Sequence, residues 1–320
     1  MKKILIIIVS LFSSISLICM ESFAQGTPKK SLHSQGLKNF YTALVAAERA
    51  QQQKSVLPGS KSHESLYHFE SFDNGSFLVS GPTSLTYPLF NVVVTTEVTQ
   101  DIVREVRAIF RPDKIPHTFI VDAGDMQGQE PLQEARYKPG GSYIEMVVDV
   151  SEALLPNGIS PFLSVEQVQT VTEKAKDEDK VLREQQCIDW AQCMIESPGF
   201  SIKWTDLLRG YDSFYTLIKN PELLLCVQKL PFFEGYRYVK GALSSYLADD
   251  LQIILALSAG DKPDSEVIQK MVYESLIATR EVNEKAKAVY LGTKEEFAIL
   301  KELGFKKLRD VFIYTKYVTK

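Results

Sequence analysis

The chain has few of the residues that carry chemistry by themselves. Four cysteines and four histidines stand among 320 residues. Four cysteines do not make a disulfide scaffold, and no C-x-x-C pair marks a redox or zinc site. The sequence has no G-x-x-x-x-G-K-[ST] loop, no G-x-G-x-x-G after a strand pattern, no H-E-x-x-H and no G-x-S-x-G elbow. It therefore lacks the signatures of phosphate-loop nucleotide hydrolases, dinucleotide oxidoreductases, zinc peptidases and serine hydrolases of the α/β type. Basic blocks are missing too: 36 Lys+Arg face 40 Asp+Glu, a formal net charge of −4 and a pI near 5.7. Displacing counterions from a nucleic acid needs concentrated Lys and Arg, so no nucleic-acid partner is expected.

What is present is a globular composition, 45% hydrophobic and 24% charged. The length allows one large domain or two ordinary ones. The histidines, His33, His63, His68 and His117, all fall in the first 120 residues. His63 and His68 are too isolated for a metal site. His68 alternates with apolar residues on a strand and reads as a surface side chain. His117 follows Pro116 at a strand start and reads as structural. Asp249-Asp250 reads as a turn between strands. No metal site is expected.

The first residues form a separate unit. Lys2 and Lys3 precede an apolar run from Ile4 to Met20, and Ser22-Phe23-Ala24 places small residues before Gln25. This is the pattern of a secretory signal peptide over 1–24, cleaved before Gln25. A retained N-terminal anchor is the alternative, and Ile18 is too large for a lipobox before Cys19. No later segment reaches 18 uninterrupted apolar residues, so no stable membrane insertion is expected after cleavage. An exported chain, periplasmic or secreted, follows, and cleavage takes the net charge from −4 to −5. Cys187 and Cys193, six apart in a helical stretch, point about 240° apart and should not bridge each other. All three remaining cysteines read as buried apolar side chains; a bridge from one of them to Cys226 is the alternative.

The polar segment 25–62 reads as a loosely attached arm with one helix, Leu37 to Gln53. A first lobe spans 63–155. Its strands are Leu66–Phe72 and Ser76–Ser80, joined at Asp73-Asn74-Gly75, then Asn91–Val98, His117–Val121 and Tyr143–Val150. Ile102, Val103, Val106, Ile109 and Phe110 give the helical period of Gln100–Phe110. A linker with a helix, Val165 to Ile195, covers 156–195. The last region, 196–320, carries a helix at Asp206–Ile218 and strands at Leu223–Leu230, Tyr236–Leu247, Leu251–Leu257, Ala288–Leu291 and Leu308–Tyr317. Between them lie an amphipathic helix at Glu266–Ala286 and a helix at Glu295–Leu303 stopped by Gly304. Leu251–Leu257 is apolar almost throughout, the pattern of a central strand.

This order of elements resembles the GNAT acyltransferase fold. The residues that carry the resemblance are Ala288-Val289-Tyr290-Leu291-Gly292-Thr293, then Phe297 to Leu303-Gly304-Phe305, then Val311–Tyr317. In that family a strand with A-x-L leads into a helix ending in L-G-F and a final strand. Gly235 to Leu243 resembles the preceding G-x-x-V-A-x-G strand. The first lobe is similar to the half-lobe of tandem members, with Pro88-Leu89-Phe90-Asn91-Val92-Val93 and Ile115-Pro116-His117-Thr118-Phe119. The resemblance covers about 64–320. It implies an α/β (α+β) protein of two tandem GNAT-like lobes, each a mixed sheet flanked by helices.

It also implies an N-acyltransferase using acetyl-CoA or another acyl-CoA, with an amine on a small molecule or protein as acceptor. The backbone at Leu255 and Leu257 would orient the thioester, and Gly260 and Lys262 would face the pyrophosphate. The family's glycine-rich turn is altered here, since Asp264, Glu266 and Ile268 stand at its glycine positions. Carboxylates in a first helical turn cap the helix and repel an anion. Leu300 occupies the place of the family's tyrosine acid, leaving Tyr290 as the nearest phenol and Glu234 or Asp249 as candidate bases. Two readings follow: an acyl-CoA-dependent N-acyltransferase, or a non-catalytic binding module that keeps the fold and has lost the cofactor.

Overall fold

The computed structural model describes residues 31–55, 67–72, 76–81, 91–110, 115–122, 129–154, 157–168, 176–195, 221–229, 237–260 and 263–316. Contacts group Leu32–Lys320 as one compact unit. In chain order the elements are α1 (Leu32–Ser55), β1 (His68–Ser71), β2 (Phe77–Ser80), β3 (Val92–Thr95), α2 (Gln100–Phe110), β4 (His117–Asp122), α3 (Glu130–Glu134) and β5 (Lys138–Asp149). Then come β6 (Leu163–Gln167), α4 (Asp177–Ile195), β7 (Pro221–Lys229), β8 (Arg237–Ala248), β9 (Leu251–Ser258), α5 (Ser265–Val282), β10 (Lys287–Gly292), α6 (Lys294–Leu300) and β11 (Lys306–Lys316).

The eleven strands of the described residues form one sheet in the order β1-β2-β3-β4-β11-β5-β10-β9-β8-β7-β6. The order is nearly symmetric about the β11–β5 seam. β3 and β4 run parallel around α2, and β9 and β10 run parallel around α5. β4 meets β11 antiparallel, and β10 meets β5 antiparallel. The unit β3-α2-β4-α3-β5 is thus repeated as β9-α5-β10-α6-β11. Each repeat sends its last strand into the other: β11 lies between β4 and β5, and β5 lies between β11 and β10. The α/β class and the two related halves are those expected. The correction concerns the sheets, which are not two separate ones; exchange of the final strands fuses them.

Periodicity explains the layering. β9 is buried along its whole length, as a strand covered on both faces must be. On one face Ile253 and Leu255 pack with Leu37, Phe40, Tyr41 and Leu44 of α1 and with Trp190 of α4. On the other face Ile254 and Leu257 pack with Val267, Ile268, Met271 and Val272 of α5. Trp190 is fully buried and its indole N–H donates to the Leu243 carbonyl at 3.1 Å. A third cluster holds α2 against β2, β3 and β4.

Two further expectations need correction. Residues 32–55 of the expected loose arm form a helix seated in the core, because Leu37, Phe40, Tyr41 and Leu44 recur at helical spacing and are all fully buried. Gly36 permits the approach, since a Cβ there would stand 2.9 Å from Ile253 Cβ. Residues 163–167, partly assigned to the linker helix, are strand β6 at the sheet edge, paired with β7. The helix expected at Asp206–Ile218, the turn at Asp73-Asn74-Gly75 and residues 1–24 lie outside the described residues. Cys187, Cys193 and Cys226 are all buried. Among the described residues, no helix is long and apolar enough to cross a membrane.

Candidate functional site

Parallel strands that separate at their C-terminal ends leave backbone groups open between them. β9 and β10 do this. Their ladder holds four pairs and ends at Ile254–Tyr290, while β9 continues to Ser258 and β10 to Gly292. The departure coincides with an irregularity in the β8–β9 pairing: Ser245 pairs with Ile254 and Ser244 with Ala256, which leaves Leu255 as the extra residue. A bulge bends its strand and increases the local twist. Leu255 and Leu257 therefore border the gap.

The walls of this gap are occupied by the protein's own side chains. Leu255, Leu257 and Leu291 are each at most 7% exposed. Ser258 closes the end of β9 by donating to the Cys193 carbonyl of α4 at 2.7 Å. On the α6 side the Tyr290 ring crowds Gly292, where a Cβ would meet Tyr290 Cε1 at 2.5 Å and Glu296 Oε2 at 2.9 Å. The Tyr290 hydroxyl donates to Glu296 Oε1 at 2.8 Å. Glu296 also accepts from the Thr293 amide in the capping box that starts α6. Tyr290 is thus a buried brace between β10 and α6. Leu300 is fully buried and offers no proton.

Beyond β9 the chain turns at Gly260, whose φ of +81° and open surroundings suit glycine. The first orphan amides of α5, which in a bare helix attract anions, already have a partner. Asp264 Oδ1 accepts from the Glu266 amide at 3.1 Å and the Val267 amide at 3.3 Å. Glu266 is engaged as well, accepting from the Ser160 amide at 3.2 Å. Lys262 and Glu234 lie outside the described residues. Asp249 sits in the turn before β9, about 20 Å from the gap at 3.3 Å per strand residue, too far to act there.

At that far end a closed polar set ties α5 to the sheet. The hydroxyls of Ser245 and Ser275 donate to Glu222 Oε2, and the Gln252 amide donates to both hydroxyls. Burial raises the Glu222 carboxyl above its ordinary value.

The equivalent helix pair of the first half is built differently. Thr99, 165 positions before Asp264, caps α2 with a neutral hydroxyl that accepts from the Ile102 amide at 3.2 Å. With the same offset Ile102, Val103 and Val106 match Val267, Ile268 and Met271, all buried. Arg104 then matches Gln269, whose amide bonds Glu302 at 2.6 Å and closes α5 onto the segment after α6. Between α2 and α3 the tie is the exposed bond that the Gln100 amide donates to Glu134 at 3.1 Å. A groove of about 530 Å³ lies there, lined in part by Gln100, Arg104, Arg107 and Glu134.

Behind the groove His117 is buried, with Nδ1 3.0 Å from the Ile115 carbonyl and Nε2 2.6 Å from the Tyr137 hydroxyl. Burial brings its pKa down to about 4, so it is neutral and structural. Lys316 donates to the Ala135 and Arg136 carbonyls at the end of α3. Sequence reasoning did not single out this groove. The available signal was the apolar period of α2, which leaves Arg104 and Arg107 together on the polar side. Among the described residues, no group of three or more His, Cys, Asp or Glu is arranged to hold a metal ion.

Comparison with known proteins rests on structure. No protein-family model matches the sequence, and no curated protein matches it. Among solved structures, a GCN5-related N-acetyltransferase from Kribbella flavida superposes with a TM-score of 0.51 at 12% identity, covering 85% of this chain and 95% of that one. A functionally unknown conserved protein from Staphylococcus epidermidis gives a TM-score of 0.51 at 10% identity, covering 83% and 97%. With the parallel β9–β10 pair, its bulge and the helix that follows, these likenesses establish that the chain has the fold of the GCN5-related N-acetyltransferases.

Proposed function

We propose that this chain is a binding protein built on the GNAT fold, and that its second half does not hold acyl-CoA in the manner of an acyltransferase. The observation that carries this reading is the Asp264 carboxylate on the first amides of α5. A pyrophosphate would have to displace Asp264 and then sit beside it and Glu266. At ~5 Å and an effective dielectric near 20, each like-charge pair costs roughly 3 kcal/mol before screening. Two surviving terms of ~1 kcal/mol each weaken binding about 30-fold. The buried walls of the gap and the Tyr290–Glu296 contact support the same reading.

The test is calorimetry with acetyl-CoA. The wild type should bind weakly or not at all, and Asp264→Gly combined with Glu266→Gly should tighten binding about 30-fold. Glycine is a tolerable N-cap, so the helix should survive. Micromolar binding by the wild type, unchanged in the double variant, would instead support the second reading. That reading is an N-acyltransferase with acyl-CoA as donor and an amine as acceptor. The specific feature in its favour is the Leu255 bulge with the strand gap beyond it.

We also propose export, on the strength of Lys2, Lys3, the apolar run and Ser22-Phe23-Ala24. N-terminal sequencing of the protein from its native host should read from Gln25. A mature protein that retains Met1 would reject export with cleavage.

A further inference from the structure

The two halves repeat one plan, yet their helix pairs differ in charge. In the second half the helix cap is a carboxylate, and Gln269 is tied down by Glu302. In the first half the cap is Thr99, the α2–α3 tie is the exposed Gln100–Glu134 bond, and an open groove lies beside it. Its volume, about 530 Å³, is within the range of small-molecule sites. Val103, Ala108, Pro131 and Ala135 supply an apolar lining beside two guanidinium groups.

The electrostatics of the groove are unbalanced. Among the described residues Arg104 pairs with Asp101 alone, an exposed contact at 2.7 Å of the kind that contributes little and exchanges readily. Glu134 accepts from Gln100 at 3.1 Å. Arg107 makes no hydrogen bond or ion pair among the described residues. At the end of α3, Lys316 and Arg136 add positive charge close by. The lowered pKa of Lys316 reflects its burial and then the repulsion of Arg107 and Arg136. Like charges held together in this way favour an anion beside them, and a planar guanidinium meets a phosphate through two parallel hydrogen bonds.

We infer that the groove between α2 and α3 is a binding site for a small organic phosphate, its phosphate on Arg104 and Arg107 and its apolar part against Val103, Ala108 and Pro131. The site is separate from the β9–β10 gap and does not depend on how that gap is used.

Inorganic pyrophosphate and phenyl phosphate, titrated by calorimetry into the full chain at physiological salt, test this. Both should bind, and phenyl phosphate should bind more tightly than inorganic phosphate titrated alongside, because it also covers the apolar lining. Arg107→Glu should weaken both by about tenfold or more. Arg107 is exposed and α2 packs through its other face, so the variant should keep the wild-type melting temperature. Hydrogen exchange on the complex should slow at residues 100–108 and 131–135.

Asp264→Gly with Glu266→Gly should leave pyrophosphate binding at the groove unchanged. Arg107→Glu should leave any gain of acetyl-CoA binding by that pair intact, so the two readings can fail separately. Wild-type protein that binds none of these probes, or Arg107→Glu protein that binds them equally well, overturns the site.

Discussion

A chain that ends at Phe305 is expected to give no folded protein. It lacks β11, which pairs with β4 over Val311–Lys316 and with β5 over Lys306–Thr315. The missing strand carries Val311, Ile313 and Tyr314, each at most 5% exposed. At roughly 1.5–3 kcal/mol for each buried large apolar side chain, their loss alone is about 5–9 kcal/mol. That is comparable with the whole stability of an ordinary domain, about 5–15 kcal/mol. The loss also exposes two strand edges that invite aggregation. The truncated chain should be insoluble, or give a thermal scan by circular dichroism with no cooperative step. A soluble truncated protein with a cooperative transition would show that the seam is dispensable.

Glu145→Ala is the second change expected to have a large effect. Glu145 stands on β5 with no solvent exposure. Its Oε2 lies 3.0 Å from Arg309 Nε on β11, and its Oε1 accepts from the His33 amide of α1 at 2.9 Å. One side chain therefore links the seam to the start of the helix that covers β9 and β10. Removing one partner of a buried ion pair typically costs about 3–5 kcal/mol, because the remaining charge stays desolvated. The His33 amide in the first turn of α1 loses this acceptor as well. Glu145→Gln keeps an acceptor for His33 and removes only the charge beside Arg309, so a smaller loss is expected. Denaturant melts of both variants measure this. A Glu145→Ala midpoint within error of the wild type would refute the role.

The local elements were legible because each has a local cause. The apolar run of Leu251–Leu257, the period of Gln100–Phe110 and Gly304 after Leu303 each mark their element without reference to the rest of the chain. The fold class was legible from their order. Exchange of β5 and β11 was not, since strand neighbours are chosen by contacts distant in sequence, and the pattern of Val311–Tyr314 is compatible with either sheet. The apolar faces of residues 32–55 were weakly marked because Gln, Lys and Arg surround them, and only the packed core shows that Phe40 and Tyr41 are interior. At the site, Asp264 could be placed at the helix start from sequence alone. The bracing of Tyr290 by Glu296 and the groove at Arg107 required coordinates, because each joins residues through a shared surface rather than a motif.

The position of β11 also sets the timing of folding. It belongs between two strands made some 170–190 residues earlier. A nascent chain holding everything up to Phe305 still lacks the strand that joins its first half to its second. The usual sequence, in which an N-terminal domain folds while the rest is being made, is closed to this chain. Until residues 306–316 arrive, the edges that β4 and β5 offer to β11 stay unpaired, and their arrival completes both halves in one event.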